Sequence, residues 1–194
     1  GLPNGLVFKT NSITDKDTID KIVEASQAGV HTTLFVRGIS CIVPGIKGYT
    51  ENVEVVSIVG RLLEHSRIYG FGVAEDMEIY LSSADLMTRN MDKRVEIAWP
   101  ILNPALKEIV LDYLDVSLSD TAKLRMLESN LEYTPLEYFA EETSDGRIES
   151  FDSQAFLIHK AEVDFEDSMV NREEGAIERA ARSHINHIIE EPRA

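Results

Sequence analysis

The chain has 194 residues, of which 43% are hydrophobic and 27% charged, and its formal net charge at pH 7 is −15. This composition predicts a globular domain and excludes a disordered chain, and no apolar run reaches the roughly 20 residues of a membrane-spanning helix. The single cysteine, Cys41, excludes an internal disulfide and a thiolate-rich zinc site. So acidic a chain is also expected to repel nucleic acid, although a local basic cleft can still bind a polyanion.

The first part of the chain has the pattern of a β-α-β unit. Residues 5–9 are mostly apolar, apolar residues recur at helical spacing over residues 19–28, and an apolar run covers residues 31–36. Thr14 or Asp15 can cap the helix at its beginning. Because two strands joined through a helix run parallel, the unit predicts an α/β fold. A strand so close to Gly1 leads us to expect that the chain is part of a longer protein.

The remaining elements are predicted from β-branched runs, alternation and helical spacing. Strands are expected at residues 53–59, 65–71, 78–82 and 94–99, with a loop over residues 38–50. A helix is expected from residue 104 to about residue 114, with Leu106, Ile109, Val110 and Tyr113 on one face. We divide the chain into a domain of residues 1–130 and a C-terminal extension, residues 131–194, that ends in an acidic helical tail.

Cationic side chains lie at the ends of the predicted strands. His65 and Arg67 are two apart in one strand, so alternation places both side chains on the same face. An imidazole can accept a phosphoryl group or transfer a proton, and a guanidinium can hold two phosphate oxygens. Arg37 follows a buried parallel strand, where open α/β sheets bind ligands. Arg94 is a further candidate phosphate contact, and Glu96 a candidate partner that orients one of the arginines.

These features taken singly also fit a structural interpretation. A histidine beside an arginine in a strand is structural more often than catalytic, and each arginine could equally be a solvated surface charge. No metal ligands are predicted among these residues.

Several multi-residue motifs follow one another along the chain. They include Val36-Arg37-Gly38-Ile39, Ser57-Ile58-Val59-Gly60-Arg61, Glu64-His65-Ser66-Arg67-Ile68-Tyr69, Ser82-Ser83-Ala84-Asp85 and Arg94-Val95-Glu96. In order and spacing these motifs resemble the last catalytic domain of polyphosphate kinases, and the resemblance is strong over residues 5–125. At Val43 the chain departs from the family, which usually has an arginine there, and the resemblance does not extend to the polyphosphate contact of that arginine.

The resemblance implies a phospholipase-D-like fold, a mixed β-sheet flanked by helices, in which two similar domains each supply a histidine to one cleft. The implied activity is reversible transfer of the terminal phosphate of ATP to polyphosphate. The histidine that becomes phosphorylated belongs to a preceding domain that this chain lacks, so the chain alone is expected to be inactive. His65 resembles the second histidine of the cleft, and Arg37 resembles the arginine that binds the ATP phosphates.

The same resemblance implies Mg²⁺ as the cofactor of the intact enzyme. The implied partners are ATP, ADP, inorganic polyphosphate and the N-terminal domains of the same enzyme, which would assemble as a homo-oligomer. The expected location is the cytoplasm, with membrane association of the intact enzyme left open. Two alternatives also remain: a homodimeric phospholipase-D-like phosphodiesterase in which two copies of His65 face each other, and a non-catalytic polyphosphate-binding module.

Overall fold

A mixed sheet of eight strands forms the centre of the computed structural model, which describes residues 5–73, 76–136 and 150–165. The strands are β1 (Gly5–Thr10), β2 (His31–Val36), β3 (Val53–Ile58), β4 (Ile68–Phe71), β5 (Glu78–Ser82), β6 (Ala98–Pro100), β7 (Leu124–Leu127) and β8 (Tyr133–Pro135). The helices are α1 (Lys16–Gln27), α2 (Thr88–Lys93) and α3 (Pro104–Leu118). Residues 153–165 are also helical. The strand order is β6-β5-β4-β1-β2-β3-β7-β8.

The predicted β-α-β unit is confirmed. β1 and β2 pair in parallel, with Phe8 opposite Leu34, and β3 continues the parallel arrangement beside β2. Asp15 caps α1 by accepting a hydrogen bond from the Thr18 backbone N–H at 3.0 Å. The helix ends just before Gly29, whose φ of 83° lies in the left-handed region that glycine adopts without strain. The carboxyl ends of β1, β2 and β3 therefore share one edge of the sheet.

Both faces of the sheet are covered by apolar side chains. Successive residues of a strand point to opposite faces, so Val55 belongs to one buried cluster and Val56 to the other. α1 contributes Ile22 to the first cluster, and α3 contributes Leu114 to the second. Each such buried side chain stabilises the fold by roughly 2 kcal/mol. The predicted α/β class, a mixed sheet flanked by helices, is confirmed.

Several predicted elements were wrong in extent. The strand expected at residues 65–71 begins only at Ile68, because its partner strands β1 and β5 end beside that residue. The strand expected at residues 94–99 begins only at Ala98. α2, β7 and β8 were not predicted. In α3 the predicted apolar face is divided: Val110 and Tyr113 pack against the core, whereas Leu106 and Ile109 are exposed.

The predicted boundary at residue 130 is not where the chain divides. β8 pairs with β7, so the sheet extends beyond that point. The two compact units are Gly1–Ser153 and Gln154–Ala194. Most of the predicted acidic tail, residues 166–194, lies outside the described residues. None of the helices that the structure describes is long and apolar enough to cross a membrane.

Asp120 joins two segments of the first unit, the turn after α3 and the stretch at Ser153, which leads to a stability prediction. Its side chain is fully buried and accepts hydrogen bonds from the backbone N–H groups of Ala122 (2.9 Å), Lys123 (2.6 Å) and Ser153 (2.9 Å). Asp120→Ala leaves these donors without an acceptor and is expected to lower the free energy of unfolding by about 3 kcal/mol. Urea denaturation measures the loss. Asp112→Ala, at an exposed position of α3, should change stability by less than about 0.5 kcal/mol. Equal losses would contradict this account of Asp120.

Candidate active site

The five residues selected from the sequence lie at one edge of the sheet, which we call the site edge. Arg37 follows the last residue of β2. His65 and Arg67 precede β4, which runs antiparallel to β1, so the beginning of β4 meets the end of β1. Arg94 and Glu96 precede β6, whose first residue pairs with the last residue of β5. The topology therefore brings to one edge residues that are up to 59 positions apart in the sequence.

Arg67 forms an ion pair with Asp85, which follows β5 at the same edge. Nε of Arg67 donates to Oδ1 of Asp85 at 3.0 Å, and Nη2 donates to Oδ2 at 3.0 Å. The side chains of Arg67 and Asp85 are 13% and 4% exposed, so water screens this bidentate ion pair only weakly. The charge of Arg67 is thus compensated within the domain. Its predicted role as a phosphate contact stays a prediction.

His65 lies against Arg67, although neither residue is in a strand. Nδ1 of His65 is 3.0 Å from Nη1 of Arg67, and Nε2 is 3.3 Å from Nη2. The lone-pair directions of an imidazole diverge, so one guanidinium cannot form linear hydrogen bonds with both ring nitrogens. The ring of His65 thus lies against the guanidinium, with at most one linear hydrogen bond between the two side chains. The two side chains are therefore in contact, but strand alternation, from which this proximity was predicted, does not apply because β4 begins only at Ile68.

Asp85 also fixes the end of β1. Its Oδ1 accepts hydrogen bonds from the backbone N–H of Asn11 at 2.8 Å and from the hydroxyl of Thr10 at 3.1 Å. Burial opposes the charged form of Asp85, but the hydrogen bonds from Arg67, Asn11 and Thr10 outweigh it and lower the pKa of the carboxyl. Asp85 is therefore ionised at neutral pH. Sequence reasoning noted this carboxylate but did not assign it a role.

Glu96 accepts hydrogen bonds from Ser83 Oγ and from Asn90 Nδ2. The bond from Ser83 is the main cause that lowers the pKa of Glu96, and the charges of Arg94 and Arg67 act in the same direction. Its carboxylate oxygens thus bind Ser83 and Asn90, while Arg67 has Asp85 as its carboxylate partner. The orienting role predicted for Glu96 stays a prediction.

Arg37 differs from Arg67 in its surroundings. It lines a cavity of about 240 Å³ together with residues 58–64, among them Arg61 and Glu64. Its Nε is buried and has no hydrogen-bond partner within the residues that the structure describes. A buried donor without a partner is costly, and an anion in the cavity would lower that cost. Sequence reasoning missed Arg61, because only the fold shows that it shares a cavity with Arg37.

The comparison with known proteins identifies the family. A family model described as "Polyphosphate kinase C-terminal domain 2" matches residues 1–146. The chain belongs to the polyphosphate kinase family. The polyphosphate kinase of Staphylococcus haemolyticus is 48% identical over 156 residues, which are 80% of this chain and 20% of that relative. The polyphosphate kinase of Escherichia coli K12 is 46% identical over 131 residues, 68% of this chain and 19% of that relative.

A solved structure agrees with this assignment. The crystal structure of a polyphosphate kinase from Porphyromonas gingivalis matches with a TM-score of 0.75 at 34% identity, over 86% of this chain and 24% of that one. The match confirms the resemblance inferred from the motifs around Arg37 and His65. This polyphosphate kinase domain spans about a fifth of the length of the curated relatives that it matches.

Proposed function

We propose that this chain is the C-terminal catalytic part of a polyphosphate kinase, which reversibly transfers the terminal phosphate of ATP to polyphosphate. The observation that carries the proposal is the presence of Arg37 and His65 at one edge of a domain that belongs to this family. Phosphoryl transfer is catalysed mainly by positioning and by charge stabilisation, and the site edge offers cations for both.

The residues of the site edge have different proposed roles. Arg37 binds the phosphates of ATP, because its buried Nε has no other partner among the described residues and its side chain lines a cavity. His65 stabilises the phosphoryl group in transit or transfers a proton to the leaving oxygen. Arg67 and Arg94 add phosphate contacts, and Glu96 restrains Ser83 and Asn90 beside them. The phosphohistidine forms on a preceding domain, which completes a phospholipase-D-like cleft.

Magnesium is proposed to bind the ATP phosphates and not a metal site formed by this domain. The described residues contain no group of three or more His, Cys, Asp or Glu side chains that could hold a metal ion. At the site edge Asp85 is bonded to Arg67, and Glu96 to Ser83 and Asn90, so these two carboxylates do not fit a metal centre. We propose Mg²⁺ as the counter-ion of the ATP phosphates in the intact protein, which acts in the cytoplasm as a homo-oligomer.

Arg37 provides a direct test in the full-length protein. Arg37→Ala is expected to raise the KM for ATP about 100-fold, because a guanidinium that grips phosphate contributes already in the ground state. Arg37→Lys should raise the KM for ATP less than Arg37→Ala does, but still above the wild-type value, since an ammonium cannot form the planar bidentate contact. Initial rates of polyphosphate synthesis over a range of ATP concentrations give the constants.

The matched control is Arg125→Ala, which removes an exposed arginine of β7. Its kinetics should equal those of the wild type. If Arg37→Ala had the same KM for ATP as Arg125→Ala, the proposed nucleotide contact would be wrong. Binding of polyphosphate without any turnover by the full-length protein would favour the non-catalytic binding module instead.

A further inference from the structure

The loop that contains His65 is held in place by hydrogen bonds of the residues directly before and after this histidine. Residues 59–67 connect β3 to β4 without regular secondary structure, and Val59 and Leu63 are 73% and 72% exposed. A loop of this kind does not by itself fix the position of a histidine. Glu64 and Ser66, the residues directly before and after His65, both bond to the hydroxyl of Tyr113 in α3.

The hydrogen bonds form a chain with a defined direction. Tyr113 donates to Oε2 of Glu64 at 3.0 Å, and Lys9 Nζ lies 2.6 Å from the same oxygen. Because the single phenolic proton goes to Glu64, the hydroxyl of Ser66, 3.3 Å away, donates to Tyr113. Burial raises the pKa of Tyr113, so the phenol keeps this proton at neutral pH. We call Lys9, Glu64, Ser66 and Tyr113 the Tyr113 cluster.

The Tyr113 cluster contains a buried ion pair that orients a side chain more than it stabilises the fold. The side chains of Lys9 and Glu64 are only 7% and 10% exposed. Lys9 Nζ lies 5.4 Å from the centre of the Phe35 ring and 5.8 Å from that of Tyr113. Desolvation offsets most of the attraction in such a pair, so apolar side chains would stabilise the fold about as well. The ion pair does, however, fix one orientation of the Glu64 carboxylate.

Alternate residues of the loop bond to two different parts of the fold. Glu64 and Ser66 bond towards α3, whereas His65 and Arg67 contact each other and Arg67 bonds to Asp85. With both neighbours restrained, the backbone at His65 cannot rotate freely. The imidazole therefore remains beside Arg67 at the site edge.

We propose that Tyr113 is a positioning residue, which acts through Glu64 and Ser66 to hold His65 in place for phosphoryl transfer. The inference rests on the proposed function, because it assigns His65 to the reaction. Positioning that is lost by about 1 Å can reduce catalysis about 100-fold, while binding of substrate elsewhere in the site is unaffected. A disturbance of the Tyr113 cluster should consequently lower kcat and leave the KM for ATP unchanged.

The test is Tyr113→Phe in the full-length protein, which removes one oxygen and keeps the ring. We expect kcat for polyphosphate synthesis to fall at least about ten-fold, with the KM for ATP within two-fold of the wild type. Hydrogen exchange measured by mass spectrometry should be faster in peptides that contain residues 61–67. Tyr80→Phe is the matched control, since the hydroxyl of Tyr80 bonds to Glu78 on β5 and not to a residue of the Tyr113 cluster. Neither readout should change in this variant.

Ser66→Ala is a second variant, at an exposed position where misfolding is not expected. It should also lower kcat and speed exchange in the loop, by less than Tyr113→Phe does. If Tyr113→Phe and Ser66→Ala both keep wild-type kcat while His65→Ala is inactive, the positioning role is wrong. Unchanged exchange in residues 61–67 would overturn it as well. Absence of polyphosphate synthesis by the wild type would refute the proposed function itself, and the exchange experiment would still report whether the Tyr113 cluster restrains the loop.

Discussion

His65→Ala in the full-length protein is expected to reduce polyphosphate synthesis about 1,000-fold, the range expected when a residue that transfers a proton or stabilises the transition state is lost. The thermal melt should stay almost unchanged, because the imidazole is exposed and contributes little packing. The KM for ATP should change less than in Arg37→Ala. Initial rates of polyphosphate formation and a melting curve on the same preparation give both results.

His31→Ala is the matched control for this prediction. His31 is exposed at the beginning of β2, at the edge of the sheet opposite the site edge. We expect wild-type synthesis from this variant. Near wild-type synthesis by His65→Ala, or a loss of activity that arises only from unfolding, would assign His65 a structural role.

Replacement of Asp85 is expected to cause a large loss of both stability and activity. Asp85→Ala leaves the guanidinium of Arg67 without its carboxylate and removes the acceptor for the Asn11 N–H and the Thr10 hydroxyl. Breaking a buried ion pair by removing one partner costs about 4 kcal/mol. We therefore expect Asp85→Ala to lower the free energy of unfolding by about this amount and to inactivate the full-length protein, because Arg67 would no longer lie beside His65.

A double-mutant cycle separates the ion pair from the other contacts of Asp85. Arg67→Met removes the charge that Asp85→Ala leaves uncompensated, so the double variant should lose less stability than the sum of the two single variants. Urea denaturation of all four proteins provides the coupling energy. Strict additivity would show that the pair contributes nothing of its own, and the stability assigned to it would be wrong.

The pH dependence of stability follows from the same pair. The folded-state pKa of Asp85 is lower than that of an unfolded aspartate, about 3.9. The contribution of Asp85 is therefore fully present above this value and is lost as the pH falls through the lower, folded-state pKa. Asp85→Asn should consequently show a smaller loss of stability on acidification than the wild type.

The centre of the fold could be predicted because its signals are local. The apolar runs of β1 and β2 and the cap of α1 each depend on residues close in sequence. Both strands were predicted correctly, and Asp15 was one of the two predicted caps. β7 and β8 are short strands, and their sheet partners, not their own pattern, determine their conformation. The strand at residues 65–71 was predicted too long, because its partner strands β1 and β5 end close to Ile68.

The residues of the site edge were selected from the sequence and their roles stay predictions, whereas their hydrogen bonds were not predicted. Motif and strand position were sufficient to select Arg37 and His65. The partner of Arg67 was not predictable, because Asp85 is 18 residues away and reaches it only when β4 and β5 pair. Tyr113 is 47 residues from Ser66, and its place in a predicted apolar face gave no sign of its hydroxyl's role. Contacts between distant segments were therefore the part that sequence reasoning missed.

The central claim is that this domain supplies part of a site that moves phosphate from ATP to polyphosphate. The most direct test follows the full-length protein and its His65→Ala variant by ³¹P NMR, with ATP, Mg²⁺ and a short polyphosphate primer. We predict that the wild type produces ADP and a growing signal of chain phosphates without matching release of orthophosphate, and that His65→Ala produces neither ADP nor new chain phosphate. Release of orthophosphate alone, hydrolysis of an added phosphodiester in place of chain growth, or equal synthesis by both proteins would contradict the account.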